Sequence, residues 1–339
     1  MNEINRIVIP VGENSEVLPP CSLIWQGDEL VDWVRGGSRY RLDGSMERSY
    51  LNYAYRFDHV VSSSNGEYIA VVEKLGTKGL LFKSGRFLRE INRSYYCAEN
   101  YEYPVAFLTL PDGQTGLIHC PDKYCKLEIE EAESGKRLTQ RTTEPQDFFH
   151  SRLSVSADSG YIASSGWVWH PFEAVCIYSV EQVLNKPELL DNGFCHLTRS
   201  GVPVNIATLT GASSLVFTTT DDFYDADDID EDEVHLLPPQ IIGVYCASTQ
   251  QIVSTAHLTE NAGVIFPLSD EITLSLYGHP KLINMKDGKV IARWEELQSG
   301  EQMSCIIHYL PPSPLVAVDA AARRFAVASS EAITVIQLG

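Results

Sequence analysis

The sequence predicts an all-β fold in which one unit of four antiparallel strands repeats around a closed ring. Three observations carry this. Turn signals separating two apolar strands fall at Gln26-Gly27, Asn65-Gly66, Asp112-Gly113, Ser159-Gly160, near Gly211, at Ser269-Asp270 and near Ala321. Their steps of roughly 40 to 60 residues match the period of blade-like repeats. A second series, Ser84-Gly85-Arg86, Ser134-Gly135-Lys136 and Asp287-Gly288-Lys289, lies further along three of the units. Two hairpins per unit give four strands. Finally, the last unit is one strand short, while Arg6-Ile-Val-Ile9 precedes the first unit without a partner. Residues 4–10 are therefore expected to pair as the outer strand of the last unit, leaving no open sheet edge at the junction. The expectation is a single β-propeller over residues 1–339, with seven four-stranded blades and six or eight as the alternatives.

Each unit supports the pattern in turn. The first offers Ser22–Trp25, Leu30–Val34 and Ser38–Leu42. In the second, His59-Val-Val leads into Asn65-Gly66, whose residues can take the positive φ angles of a type I′ hairpin, and Tyr68–Val72 follows. Tyr68–Val72 is apolar throughout, as a strand buried on both faces must be. The third unit has Val105–Thr109, Thr115–His119, Lys126–Glu130 and Lys136–Thr139. The fourth has Leu153–Ser156, Tyr161–Ser164 and Ala174–Tyr178, then a capping-box spacing at Ser179-Val-Glu-Gln182 that predicts a short helical insertion over 181–192. The fifth contains Val204–Ala207, Ser214–Phe217, an acidic insertion over 220–239, Ile241–Tyr245 and Gln251–Ser254. The sixth has Val264–Phe266, Ile272–Leu276, Lys281–Asn284 and Val290–Arg293, and the seventh Leu315–Val318, Phe325–Ala328 and Ile333–Gln337.

The seventh unit, Val318-Asp-Ala-Ala-Ala-Arg-Arg-Phe-Ala-Val-Ala-Ser-Ser330 followed by Ile333–Ile336, resembles WD40-like repeats, as do Ser154–Ser165 and Ser62–Glu73. The likeness is at the level of the repeat and implies the propeller fold. No unit carries the Gly-His together with the Trp-Asp dipeptide of the standard pattern, so that family's polar network is not transferred to any residue here.

A net charge of −19 disfavours nucleic acid and anionic membrane surfaces and favours a basic protein partner. No apolar run approaches the roughly 18 residues of a spanning helix. The N-terminus lacks the basic and apolar regions of a signal peptide, and eight cysteines without framework spacing suit reduced thiols, so a cytoplasmic protein is expected. Connections between the second and third strands of a blade share a face with connections between blades. Two sets of candidate partner-binding residues should meet there. One is the run Asp221, Asp222, Asp225, Asp227, Asp228, Asp230, Glu231, Asp232 and Glu233; the other is the aromatic set Trp167, Trp169, Tyr95, Tyr96 and Tyr101. The acidic run would accelerate encounter with a cationic partner, and the aromatics would anchor it. Like-charge runs are also commonly solvated loops, and inter-blade aromatics commonly fill the wedge between blades. Calcium at Asp225, Asp227 and Asp228 is the alternative for the acidic run, but no EF-hand glycine or terminal glutamate accompanies them. His119, Cys120 and Cys125 lack the further Cys/His pair that structural zinc requires, so no metal or other cofactor is expected.

No nucleophile elbow, His-Glu-x-x-His or phosphate-cradling glycine loop is present. The expected function is a non-enzymatic protein-interaction module, either a scaffold or an inhibitor of immunity type binding a basic partner. The alternative is a hydrolase or lyase with a metal or carboxylate site at the mouth of the central channel.

Overall fold

The repeated turn is built the same way in blades 2 and 4. Ser63 Oγ donates to Asn65 Oδ1 at 2.7 Å and accepts the amide of Tyr68 at 2.9 Å, while Asn65 Oδ1 also accepts the amide of Glu67 at 3.1 Å. Ser156, Asp158, Gly160 and Tyr161 repeat the arrangement at 2.7, 3.0 and 2.9 Å. These side chains satisfy turn amides locally, so the loop keeps its shape without tertiary support. The type I′ geometry expected at Asn65-Gly66 is not adopted. Only Gly66 has a positive φ, 69°, and its amide closes a turn on the Ser63 carbonyl at 2.9 Å.

The computed structural model describes residues 1–13, 15–169, 172–195, 197, 202–220, 237–306 and 314–339. Seven sheets form the blades. Their inner strands are Ile24–Gln26, His59–Ser62, Val105–Thr109, Phe149–Val155, Val204–Thr210, Ile265–Pro267 and Leu315–Asp319. In blade 3 the outer position contracts to one bridge, Glu130 with Arg137, and buried Thr139 accepts the amide of Ile129 through its hydroxyl at 2.8 Å. In blade 4 it contracts to Cys176 with Phe194, after the chain has left the sheet through helix Val180–Asn185 and the 3-10 turn Pro187–Asp191. Ser179 caps the helix by accepting the amide of Gln182.

The core is divided among seven inter-blade wedges. Tyr68–Val72 shows why the central strands are apolar on every residue: Tyr68, Ala70 and Val72 pack toward blade 3, and Ile69 and Val71 toward blade 1. The ring closes as expected. Glu3–Pro10 pairs antiparallel with Ala332–Leu338, and Ile9, fully buried, joins Leu23, Leu30 and Tyr40 of blade 1 in the wedge between the last and first blades. Arg324 reinforces this seam, bonded to Asp28 and Asp319 at 2.9 Å each, with its guanidinium 4.0 Å from the Trp25 ring centroid.

If this strand holds the ring, Ile9→Ala should cost about 2–5 kcal/mol in equilibrium unfolding. Deleting residues 1–10 should cost more while leaving one cooperative transition. A truncated protein that melts like the intact one would show that closure does not depend on the strand.

Candidate functional site

Antiparallel strands bring the connections between second and third strands to the same face as those between blades. On that face, at the junction of blades 3 and 4, five aromatic rings from four segments stack on one another. Phe149 opens the inner strand of blade 4, and its ring lies flat on that of its cross-strand partner Trp167, with centroids 3.8 Å apart and planes inclined by 3°. Tyr124, from the blade 3 hairpin, stacks on Phe149 at 4.2 Å, and Tyr96 packs against Tyr124 at 5.0 Å. Trp169 stands edge-on to Trp167 and Phe149 at 5.3 and 5.6 Å. Such offset and edge-to-face pairs fix ring orientation beyond what area burial supplies.

Local sequence explains the geometry. A bulge between Phe149 and Arg152 accompanies a split of adjacent rings, Phe148 entering the wedge between blades 3 and 4 and Phe149 the stack. Gly166 permits the close approach, since a Cβ there would lie 2.0 Å from the Phe149 carbonyl oxygen and 2.6 Å from the Phe148 ring. Arg93 pins the segment carrying Tyr95 and Tyr96. Buried to 5 % exposure, it donates to the carbonyls of Gly76, Ala98, Tyr101 and Glu102 at 2.7–3.1 Å and lies 4.4 Å over the Tyr101 ring.

The stack emerges at solvent through Trp169 and Tyr96, exposed by 48 and 42 %, and Tyr95, next to Tyr96 in the chain, is exposed by 84 %. These three expected contact residues lie at the surface. Two others are corrected: Trp167 is 4 % exposed and Tyr101 is fully buried, so both support the face from beneath. Trp167, on the strand rather than in the connection that follows it, lies flat against Phe149 and is thereby taken out of water. The acidic residues Asp221, Asp222, Asp225, Asp227, Asp228, Asp230, Glu231, Asp232 and Glu233 lie outside the described residues, as do most of 220–239.

Beside the stack, the inner strands surround a channel of about 1440 Å³. An ionic group lines its mouth on this face. Glu102 lies 3.1 Å from both Lys74 Nζ and Arg152 Nε, with His59 nearby. Burial acts to raise the Glu102 carboxyl, but Lys74, Arg152 and His59 outweigh it and hold the group below the usual carboxylate range. Burial likewise lowers His59, with Lys74 adding to the effect. Neither Glu102 nor Arg152 was legible as a site residue, because they come from separate blades and no spacing links them. His119 sits 3.2 Å from Glu130, Cys120 is buried in the core between blades 3 and 4, and no group of three or more His, Cys, Asp or Glu is placed to hold a metal among the described residues.

No family model matches the sequence, and no curated protein matches it. Among solved structures, the crystal structure of the Myceliophteria thermophila Cps50 (Swd1) β-propeller domain is similar. Its likeness spans 100 % of this chain and 99 % of that one, with a TM-score of 0.57 and 10 % sequence identity. The two chains share the β-propeller fold.

Trp167→Ala should cost about 3–5 kcal/mol in denaturant unfolding, whereas exposed Trp169→Ala should stay within about 0.5 kcal/mol. Equal losses would mean that Trp169 is a core residue. His150, next to Phe149 on the inner strand of blade 4, is pushed down to about 3 by burial, with Arg141 contributing, against 6.5 when unfolded. The stability this represents is present above pH 6.5 and is lost as pH falls toward 3, because unfolding then takes up a proton. His150→Gln should flatten stability in that window by up to about 1.4 kcal/mol per pH unit. An unchanged slope in pH-resolved denaturation would show that other groups govern it.

Proposed function

We propose that this protein is a non-catalytic binding propeller that engages a basic protein partner through the face carrying Tyr95, Tyr96 and Trp169. It serves either as an assembly scaffold or as an inhibitor of immunity type that occludes a basic effector. The exposed end of the ring stack carries the reading. Tyr96 and Trp169 are half-exposed rings backed by a packed layer, the kind of group that dominates binding energy at protein interfaces, and Tyr95 stands free beside them. The net charge of −19 supplies the sign of the partner. Thr219 and Ile241 end the second and begin the third strand of blade 5, at the end of the blade that points to the same face as the ring stack.

The division of labour between charge and rings can be measured. A photo-crosslinking side chain at Tyr95 should capture a basic protein, and one at Gln114, in a turn on the opposite face, should not. Replacing the carboxylates between Asp221 and Glu233 by amides should slow association and flatten its salt dependence. Trp169→Ala should instead speed dissociation. An acidic partner, or equal capture from both faces, would overturn the proposal.

A second reading, a hydrolase or lyase at the channel mouth, is favoured by the grouping of His59, Lys74, Glu102 and Arg152 beside a large cavity. Chelator-sensitive, stoichiometric metal in the purified protein would put it first.

A further inference from the structure

The connection from blade 6 to blade 7 does not stay beside its own blades. Ser299 Oγ donates to the Leu276 carbonyl at 2.5 Å and Gly300 bridges Gly278, both in blade 6. By Ser304 the chain has passed the position of blade 5 and reached blade 4, and Ile306 bridges Tyr101 at the start of blade 3. Glu173 of blade 4 anchors it there, accepting from Ser304 Oγ at 2.7 Å and from the Cys305 amide at 2.6 Å. Arg152 Nη2 donates to the Ser304 carbonyl at 2.9 Å, and the Cys305 thiol to the Gly166 carbonyl at 3.1 Å. Cys305 is fully buried, packed with Tyr101, Phe149 and Trp167 beneath the exposed end of the aromatic stack.

Ser304, Cys305 and Ile306 bend at Ser304, whose hydroxyl accepts the Ile306 amide at 2.9 Å, and are held as a docked peptide would be, through a main-chain bridge, a main-chain amide on a carboxylate and one small side chain in an aromatic pocket. Their fit leaves donors unused. Trp167 Nε1 and Arg152 Nη1 are buried with no acceptor among the described residues. Glu173 is 6 % exposed, and burial raises its carboxyl above the ordinary range against the pull of the two hydrogen bonds from the strap. A buried donor without an acceptor weakens the state that contains it. A segment that offers further carbonyl oxygens can therefore compete with this strap despite the high effective concentration of a tethered occupant.

We propose that the groove between blades 3 and 4 is a peptide-docking site held closed in cis by Ser304–Ile306. Its ligand in trans is a protein segment that takes the same bend and places a small side chain where Cys305 now sits. This rests on the reading that a protein partner docks on this face, and it adds how the site is gated and what conformation the partner presents. Ligand and strap compete for one place, so binding shifts the strap from its closed to its open position.

Local opening of the strap is measurable in the unmodified protein. Cys120 and Cys176 are buried within the blades and serve as internal references. Site-resolved alkylation should modify Cys305 at least tenfold faster than either, because opening the strap does not require a blade to unfold. Equal rates for the three thiols would overturn the proposal. Glu173→Ala removes the anchor and should speed Cys305 alkylation at least tenfold further, while Glu173→Gln, which keeps an acceptor, should stay near the wild-type rate. A labelled synthetic peptide with the sequence of residues 300–306 should bind Ser304→Ala, whose strap has lost its hydroxyl bond while the groove keeps Glu173, at least tenfold more tightly than wild type. If Glu173→Ala does not fold, Ser304→Ala, which removes one bond to the carboxylate, also carries the alkylation measurement. A released strap with no peptide binding would also overturn the proposal. Capture of a basic partner at Tyr95 together with an unreleasable strap refutes only the gating. Absence of any partner at Tyr95, with the peptide still bound, refutes the reading of the face.

Discussion

Everything in this molecule depends on apolar burial between neighbouring blades. Each central strand has two buried faces and contributes to two wedges, so no blade has a core of its own. An open ring would leave two such faces in water at the break, at a cost of roughly 25 cal/mol for each Å² exposed. Pairing of Glu3–Pro10 with Ala332–Leu338 prevents this, and the Arg324 group, with Trp25 and Asp28 on one side and Asp319 on the other, adds polar links across the same seam. The chain ends are thereby made part of the most distant contact in sequence, and stability becomes a property of the whole ring.

A rigid ring leaves variation to its connections. Blades 3 and 4, whose outer strands contract to single bridges, also contribute most to the aromatic stack. Their second-to-third-strand connections supply Tyr124 and Trp169, the segment before the inner strand of blade 3 supplies Tyr96, and the first residue of the inner strand of blade 4 is Phe149. Arg93 fixes one of these segments by donating to five carbonyls, and Gly166 lets another approach within van der Waals contact. The rings at the surface are therefore positioned by a polar anchor and a missing side chain.

Periodicity made the blades legible before any coordinates, because strand alternation, turn residues and the unpaired N-terminal strand are local signals that every repeat restates. Tyr95, Tyr96 and Trp169 were legible as surface candidates by their residue type and position in connections. Trp167 and Tyr101 share both properties and are buried, since exposure of an aromatic ring is settled by whether another ring covers it. For Trp167 that ring is Phe149, eighteen residues away in sequence and directly opposite in register.

What the sequence determined by itself is the architecture: an all-β ring, its repeat, the helix capped by Ser179, and the strand that closes it. These follow from interactions within a few residues or from a pairing deficit that can be counted. What only the tertiary structure decided is the site. Glu102 meets Lys74 and Arg152, and Ser304–Ile306 reaches Glu173 and Tyr101, through contacts between blades that no spacing in the chain encodes. Ring closure brings those residues together, because a propeller converts positions a whole repeat apart into neighbours around one channel mouth.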